Sequence, residues 1–393
     1  MNKTKALGSI QKYTMVLVLV LVVLFFSLRT GGKLLLPQNI TNLISQNAYV
    51  FVLATGMLLC ILTGGNIDLS VGSVVCFAGA VGALMMQAKI NMWLAVVVML
   101  AVGLAIGAWQ AFWIAFMRIP PFITTLSGML VFRGLSNVLL KGQTVSVTNA
   151  AFVKIFGGGA DCYIPDFFGG GAGHNILAIV VGVVGVAIFA VATFLSRASK
   201  VKKGYATESL ISTIVKTVVI GAVAIFFAVK LSQYKGIPTA LIWVALVVAI
   251  YSYITGKTTI GRHFYAVGGN EKATKLSGID TEKVYFMAYL SMSILAGLSG
   301  LLMAARIGSV NGDTGTSFEM DAIGSCFIGG ASAYGGSGTV GGIMVGAILL
   351  GVINQGMSII GLDNNWQYVV KGAVLLVAVI FDVVSNHKTG KAG

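Results

Sequence analysis

The chain has 393 residues, 57% of them hydrophobic and only 10% charged, with a mean hydropathy of +0.92. Soluble domains carry about 25% charged residues, so this chain cannot clothe a globule in polar surface, and an ordinary cytosolic enzyme is excluded. A net charge of +14 would suggest nucleic acid in a soluble protein. In a chain this apolar it reads instead as basic residues gathered on the cytoplasmic side of a membrane.

A helix needs about 20 apolar residues to span the hydrocarbon core. Twelve such runs occur, near 13–28, 44–62, 70–87, 91–117, 122–140, 175–195, 209–230, 238–255, 284–304, 319–334, 340–360 and 366–384. The 51 glycines against 5 prolines fit helices that approach closely in lipid. The predicted fold is an all-α polytopic membrane protein of about twelve transmembrane helices, some broken at glycines. The first run follows Lys3, Lys5 and Lys12, but no small-residue cleavage site follows Leu28-Arg29, so it reads as a retained span. With both termini placed in the cytoplasm, the inner segments hold most of the 26 lysines and arginines.

Two loops stand out. The predicted extracytoplasmic loop 142–174 is long and glycine-rich, and 256–283 is the most polar stretch of the chain. In the second, Asn270 is placed to cap a short amphipathic helix starting at Glu271, and Gly278 to end it in the left-handed conformation. The stretches 61–73 and 326–338 each break an apolar run at a Gly-Gly pair on the same predicted side. That is either an internal repeat marking a transport pathway or the chance alignment of glycine-rich segments.

Motifs of soluble enzymes fail on context. Gly336-Ser337-Gly338-Thr339-Val340-Gly341 matches a dinucleotide fingerprint but lies between membrane runs; Gly338, Gly342 and Gly346 read better as a helix-packing stripe. Residues 251–258 end like a phosphate-binding loop but lack its first glycine. Cys60, Cys76, Cys162 and Cys326 lack the spacing of a metal or redox centre, with Cys162 alone in a polar loop. No metal, cofactor or catalytic set is expected. Charges at bilayer depth are costly, so Asp68, Asp382, Arg133, Lys216, Lys371 and the acids Glu319 and Asp321 at a span entrance each need a reason: an ion relay, a helix cap or a side chain reaching the interface. For Asp68 a cap at the start of the span near Ser70 is favoured.

The residues GRHFYAVGGNEKATKLSGI (261–279) resemble the cytoplasmic loop of the monosaccharide permeases of ABC importers. LTGGNIDLSVGS (62–73), IGGASAYGGSGTVGG (328–342) with GVINQGMSIIGL (351–362), and WQYVVKGAVLLVAVIFD (366–382) agree in the same order. The longer loop 142–174 and an inserted basic loop and apolar hairpin near 196–237 resemble the xylose or multiple-monosaccharide branch, as ten core spans plus a hairpin. Where the family often carries an arginine, this chain reads Ser337-Gly338-Thr339.

The resemblance implies a single transmembrane permease domain over 1–393 in a bacterial plasma (inner) membrane. It would be a homodimer, working with cytoplasmic ATP-binding subunits and an extracytoplasmic sugar-binding protein, and would not itself be an enzyme. The loop 256–283 would couple to the ATPase through Gly261, Arg262, Gly268, Gly269, Asn270, Glu271, Lys272, Leu276, Ser277 and Gly278. A neutral sugar needs hydroxyl and amide partners, so the expected path contacts are Asn66, Asp68, Ser70, Ser73, Asn354 and Gln355. The alternative is an ion-coupled secondary sugar transporter, which should carry paired intramembrane carboxylates.

Overall fold

A computed structural model of the chain describes residues 3–157, 161–170, 174–205, 207 and 209–388. The glycine clusters 158–160 and 171–173 of the long predicted loop, positions 206 and 208 of the inserted segment, and Lys391 lie outside the described residues.

In chain order the helices are α1 (Lys3–Arg29), α2 (Pro37–Gln46), α3 (Ala48–Leu62), α4 (Val71–Gln87), α5 (Met92–Ala115), α6 (Pro121–Leu140), α7 (Ala150–Phe156), α8 (Ile176–Lys202) and α9 (Leu210–Ser232). They continue with α10 (Thr239–Lys257), α11 (Thr259–Gly269), α12 (Glu271–Leu276), α13 (Thr281–Ile307), α14 (Phe318–Ile328), α15 (Val340–Ile360) and α16 (Asn364–Lys388). Strands β1 (Val145–Ser146) and β2 (Ser309–Val310) pair antiparallel, Val145 opposite Val310. The chain is an all-α polytopic membrane protein. Seven described helices are long and apolar enough to cross a bilayer, or eight if α2 and α3 form one span; stretches of α1, α4 and α16 are apolar but shorter.

Each of the twelve apolar runs falls on a helix or a helix pair, with one clear difference. The run 319–334 is helical only over the 11 residues of α14, about 16 Å at 1.5 Å per residue, roughly half the hydrocarbon thickness. The chain turns out of the helix at Gly329 and at Gly330, which takes a φ of +86°.

Two compact units are present: 1–34 with 43–162 and 239–393, and 35–42 with 163–238. In the first, α13 is the packing axis, with Tyr289, Met292 and Ala296 fully buried. Small residues set its contacts. A Cβ on Gly103 of α5 would meet the Ser293 carbonyl at 2.6 Å, and one on Gly300 would meet the Val75 carbonyl of α4 at 2.9 Å. Helices so close gain dispersion contact where lipid supplies no hydrophobic drive between them. Of the predicted glycine stripe, Gly342 and Gly346 lie against the backbone of Gly329 and Ser325 at the end of α14, whereas Gly338 precedes α15 and packs on Leu58 and Ala331.

The second unit is built on the α8–α9 hairpin. Gly182 lies against Ala228, and Asn175 N–H donates to the Ser232 carbonyl at 2.9 Å. The Asp166 carboxylate accepts from the N–H groups of Phe168, Gly170, Ile176 and Leu177 at 2.8–3.3 Å. Large apolar side chains such as Ile188, Val191, Leu195, Ile211 and Val218 stay exposed on the hairpin, as lipid-facing positions would.

Candidate functional site

The polar segment 256–283 folds as two short helices held by local caps. Thr258 Oγ1 accepts from Gly261 N–H at 3.1 Å and starts α11. Asn270 Oδ1 accepts from Ala273 N–H at 2.9 Å and starts α12 at Glu271. Gly278, at a φ of +84°, turns the chain out of α12 while its N–H donates to the Lys275 carbonyl. Thr274 Oγ1 donates to the Ala266 carbonyl at 2.8 Å and locks α12 to α11. The outer side of α12 is left open: Lys272, Lys275 and Ser277 are exposed, and Leu276 is 89% exposed.

Glu271 fastens α12 to the bundle. Its Oε1 accepts from Arg118 Nη1 at 2.7 Å and its Oε2 from Tyr285 OH at 3.0 Å; Arg118 Nη2 also reaches Glu282 Oε1 at 3.1 Å. Burial works against the charged form, but hydrogen bonds from Arg118, Tyr285 and Thr281 outweigh it and hold the Glu271 carboxyl below the usual range. Arg118, in the short α5–α6 connection, is the residue that sequence reading missed here. Its partners lie 153 and 164 positions away, and no local pattern announces them.

Behind α11 three glycine segments meet. Gly336 N–H donates to the Leu62 carbonyl at 3.0 Å, and Tyr265 OH donates to the Gly338 carbonyl at 2.9 Å. A Cβ on Gly268 would run into the Leu62 carbonyl and Gly336 N, and one on Gly65 into the Ala333 carbonyl. One on Gly335 would lie 2.5 Å from Gly64 Cα. Gly65 and Gly336 take φ values of +74° and +67°, so both the conformation and the space exclude other residues there. The stretches 61–73 and 326–338 singled out in the sequence thus touch each other and the end of α11, through Gly64–Gly65 on one side and Ala333–Gly336 on the other, while Gly329 packs on α15. Gly261 has its own close contact, with Thr255 Cα of α10 2.7 Å from where its Cβ would be. Gly269 faces open space, and Arg262 is exposed.

From this node a turn and an irregular segment, 63–70, lead back to α4. Asn66 is half-buried and donates to the Thr63 carbonyl at 3.2 Å. Asp68 is fully buried, and its Oδ1 accepts from Ser70 N–H at 2.8 Å and Ser70 Oγ at 2.6 Å. Both bonds go to Ser70, the residue before α4, so Asp68 holds the turn that leads into the helix; the first turn of α4 itself has no side-chain cap bond, and Asp68 Oδ2 is buried without a hydrogen-bond partner. Gln110 Nε2 of α5, which the sequence did not flag, donates to Ser70 Oγ at 2.8 Å. Ser73 is fully buried. The loop 311–317 meets the same helix start, with Gly72 and Gly315 in mutual backbone contact. Arg133 secures that loop by donating to the carbonyls of Gly312 and Thr314 at 2.8 and 2.6 Å, which accounts for a charge inside α6.

Two further intramembrane charges pair. Lys371 Nζ lies 2.9 Å from Asp321 Oδ1, and Tyr49 OH donates to Asp321 Oδ2 at 2.9 Å while its ring stacks on Phe318. This cluster edges a polar cavity of about 560 Å³ lined by Asn47, Arg306, Asn354, Gln355, Gln367 and Lys371 among others. Asn354 and Gln355 therefore sit together at a cavity, whereas Asp68, Ser70 and Ser73 are packed in the core. Cys162 is not open to its loop, being 3% exposed with Sγ against the Val153 carbonyl; the short helix α7 folds back over it.

Apolar helices broken at glycines, polar groups at a cavity between them and a polar helix pair set against the breaks define a multi-pass membrane transport protein. The chain belongs to the family described as branched-chain amino acid transport system / permease component, whose model matches residues 39–379. It is similar to the xylose transport system permease protein XylH of Escherichia coli K12, 32% identical over 387 residues, which cover 97% of this chain and 94% of that protein. The Haemophilus influenzae protein of the same name is 33% identical over 394 residues, 99% of this chain and all of the relative. The ribose import permease protein RbsC of E. coli K12 is 31% identical over 346 residues, 88% of this chain and 85% of that protein. No solved structure matches the chain.

Proposed function

We propose that this chain is the permease subunit of an ATP-driven, binding-protein-dependent importer of xylose or of several monosaccharides. The observation that carries this is similarity along nearly the whole chain to xylose permeases, inserted hairpin included. As a homodimer in the bacterial plasma membrane, with both termini in the cytoplasm, it would receive sugar from an extracytoplasmic binding protein. ATP would be hydrolysed by separate subunits, and this chain would make and break no bonds.

The segment 256–283 would be the contact with those subunits. α12 offers them a small exposed face, Lys272, Leu276 and Ser277, on a base clamped by Asn270, Glu271 and Gly278. Behind it, Gly268 abuts both broken stretches, so a displacement of α11 must move the ends of α3 and the 329–339 turn, because close-packed backbone has no slack to absorb it. The amide-rich cavity at Asn354 and Gln355 suits a neutral polyol, which needs hydrogen-bond partners rather than counter-charges. Asn66, Asp68, Ser70 and Ser73 would shape the path from within the core. Against ion coupling stands the bonding of the buried acids: Asp321 is neutralised by Lys371, and Asp68 accepts from Ser70.

Uptake of labelled xylose by proteoliposomes tests the proposal. With the ATPase subunits, the binding protein and internal ATP, sugar should accumulate. Accumulation by this chain alone on a proton or sodium gradient would establish the secondary-transporter alternative.

A further inference from the structure

Lys216 lies inside a membrane span, and nothing in a sugar path through the other unit uses it. Six residues into α9, it is about 9 Å from the helix start at 1.5 Å per residue, and a charge at that depth has a functional or pairing role by default. It lines a cleft of about 550 Å³ within the α8–α9 hairpin, together with Arg197 and Lys200 from the last turns of α8. Arg197 and Lys216 also have partners inside the protein, so the attraction rests on three cations together rather than on any one being free.

The cleft changes character along its length. Arg197 and Lys200 stand at the end that carries the basic segment, with the hydroxyl of Thr193 one turn deeper. Phe189 lies eight residues before Arg197, about 12 Å further in, and Ile220 lines the same inner part from α9. Cationic and hydroxyl groups at the mouth with an apolar wall behind them match a phosphodiester headgroup followed by an acyl chain. A free anion would use only the mouth. Basic pockets between transmembrane helices at the basic side of a membrane protein take anionic headgroups for this reason, and the outer faces of α8 and α9 carry exposed apolar side chains beside which an acyl chain would lie.

We propose that the α8–α9 cleft is a binding site for an anionic phospholipid, held at its phosphate by Arg197, Lys200 and Lys216. The site is independent of which sugar the protein carries.

The test uses the full-length chain in detergent, supplemented in turn with phosphatidylglycerol, phosphatidylcholine or inorganic phosphate. Native mass spectrometry reads retained lipid, and thermal unfolding reads stabilisation. Phosphatidylglycerol should be retained in preference to phosphatidylcholine, with Lys200→Gln and Lys216→Gln each lowering retention about fivefold. Lys230→Gln, at the other end of α9, should not change it. Equal retention of the two lipids by the wild-type chain overturns the proposal, as does wild-type retention by both cleft variants. Stabilisation by inorganic phosphate equal to that by phosphatidylglycerol would assign the cleft to a free anion and also overturn it. The wild-type lipid comparison decides the matter even if a variant fails to fold.

Discussion

Gly336 donates its backbone N–H to the carbonyl of Leu62 at 3.0 Å, joining the two broken stretches of the chain across 274 positions, and Gly268 of α11 is packed against both atoms of that bond. The contact is backbone on backbone, so it transmits displacement with little loss. Any side chain at 268 would have to push the two segments apart.

Gly268→Val should therefore lower ATP-driven uptake by about tenfold or more, in the range where overpacking takes effect, while the protein still inserts. Gly269→Ala, next in the chain but facing open space, should stay within about twofold of wild type. Uptake by the two variants in matched proteoliposomes checks the contrast. Equal losses would show that the node does not act through the space at Gly268.

Asp68 offers a sharper distinction. Asp68→Asn keeps an acceptor oxygen for Ser70 N–H and should retain substantial uptake. Asp68→Leu strands the buried N–H and hydroxyl of Ser70, at a cost of about 1–3 kcal/mol, and should lose folding or transport. If Asn proves as damaging as Leu in a protein that inserts normally, Asp68 needs its charge and the account of it as an acceptor for Ser70 is wrong.

For the Lys371–Asp321 pair the outcome is non-additive. Lys371→Met leaves a carboxylate that is 3% exposed without its counter-charge and should cost about 3 kcal/mol of stability. Combining it with Asp321→Asn should recover most of the loss. Thermal unfolding of the two single variants and the double variant measures the coupling; additive losses would mean the pair is not a unit.

The clamp on α12 has a pH signature. The folded Glu271 carboxyl is held below its ordinary value, so its contribution is fully present above the unfolded pKa of about 4.3. It is lost as pH falls through the folded value. Arg118 and Glu271 are 42% and 36% exposed, so solvent screening limits their pair to about 1 kcal/mol or less. Glu271→Gln should lower thermal stability slightly at pH 7, and the gap from wild type should close as the pH is taken below 4. A gap that persists at low pH would assign the effect to packing rather than charge.

How far the sequence could be read follows from the range of each interaction. The caps at Asn270 and Gly278 and the bond from Asp68 to Ser70 depend on neighbours within a turn and were legible, as was the close packing at Gly342 and Gly346, whose spacing alone announces it. Arg118 with Glu271, Arg133 with the 311–317 loop, and Tyr49 with Asp321 depend on helices far apart in the chain; there the sequence displayed the charge but not its partner. The half-length of α14 was hidden for another reason. Ala331 and Ala333 continue the apolar run past the glycines that end the helix, so hydropathy alone cannot separate a span from a helix that stops midway. The burial of Cys162 was likewise invisible, because α7 covers it through contacts that the loop composition does not encode.

The central claim, that α12 is where ATP hydrolysis reaches the membrane domain, is tested most directly by cross-linking at its exposed face. Leu276→Cys in a transporter assembled with its ATPase subunits should cross-link to an ATPase subunit through a short thiol-directed reagent. The cross-link should arrest xylose uptake, and a cleavable linker should restore it on reduction. If Leu276→Cys forms no such cross-link in an assembled transporter that still takes up xylose, the ATPase contacts a different face and α12 is not the coupling element.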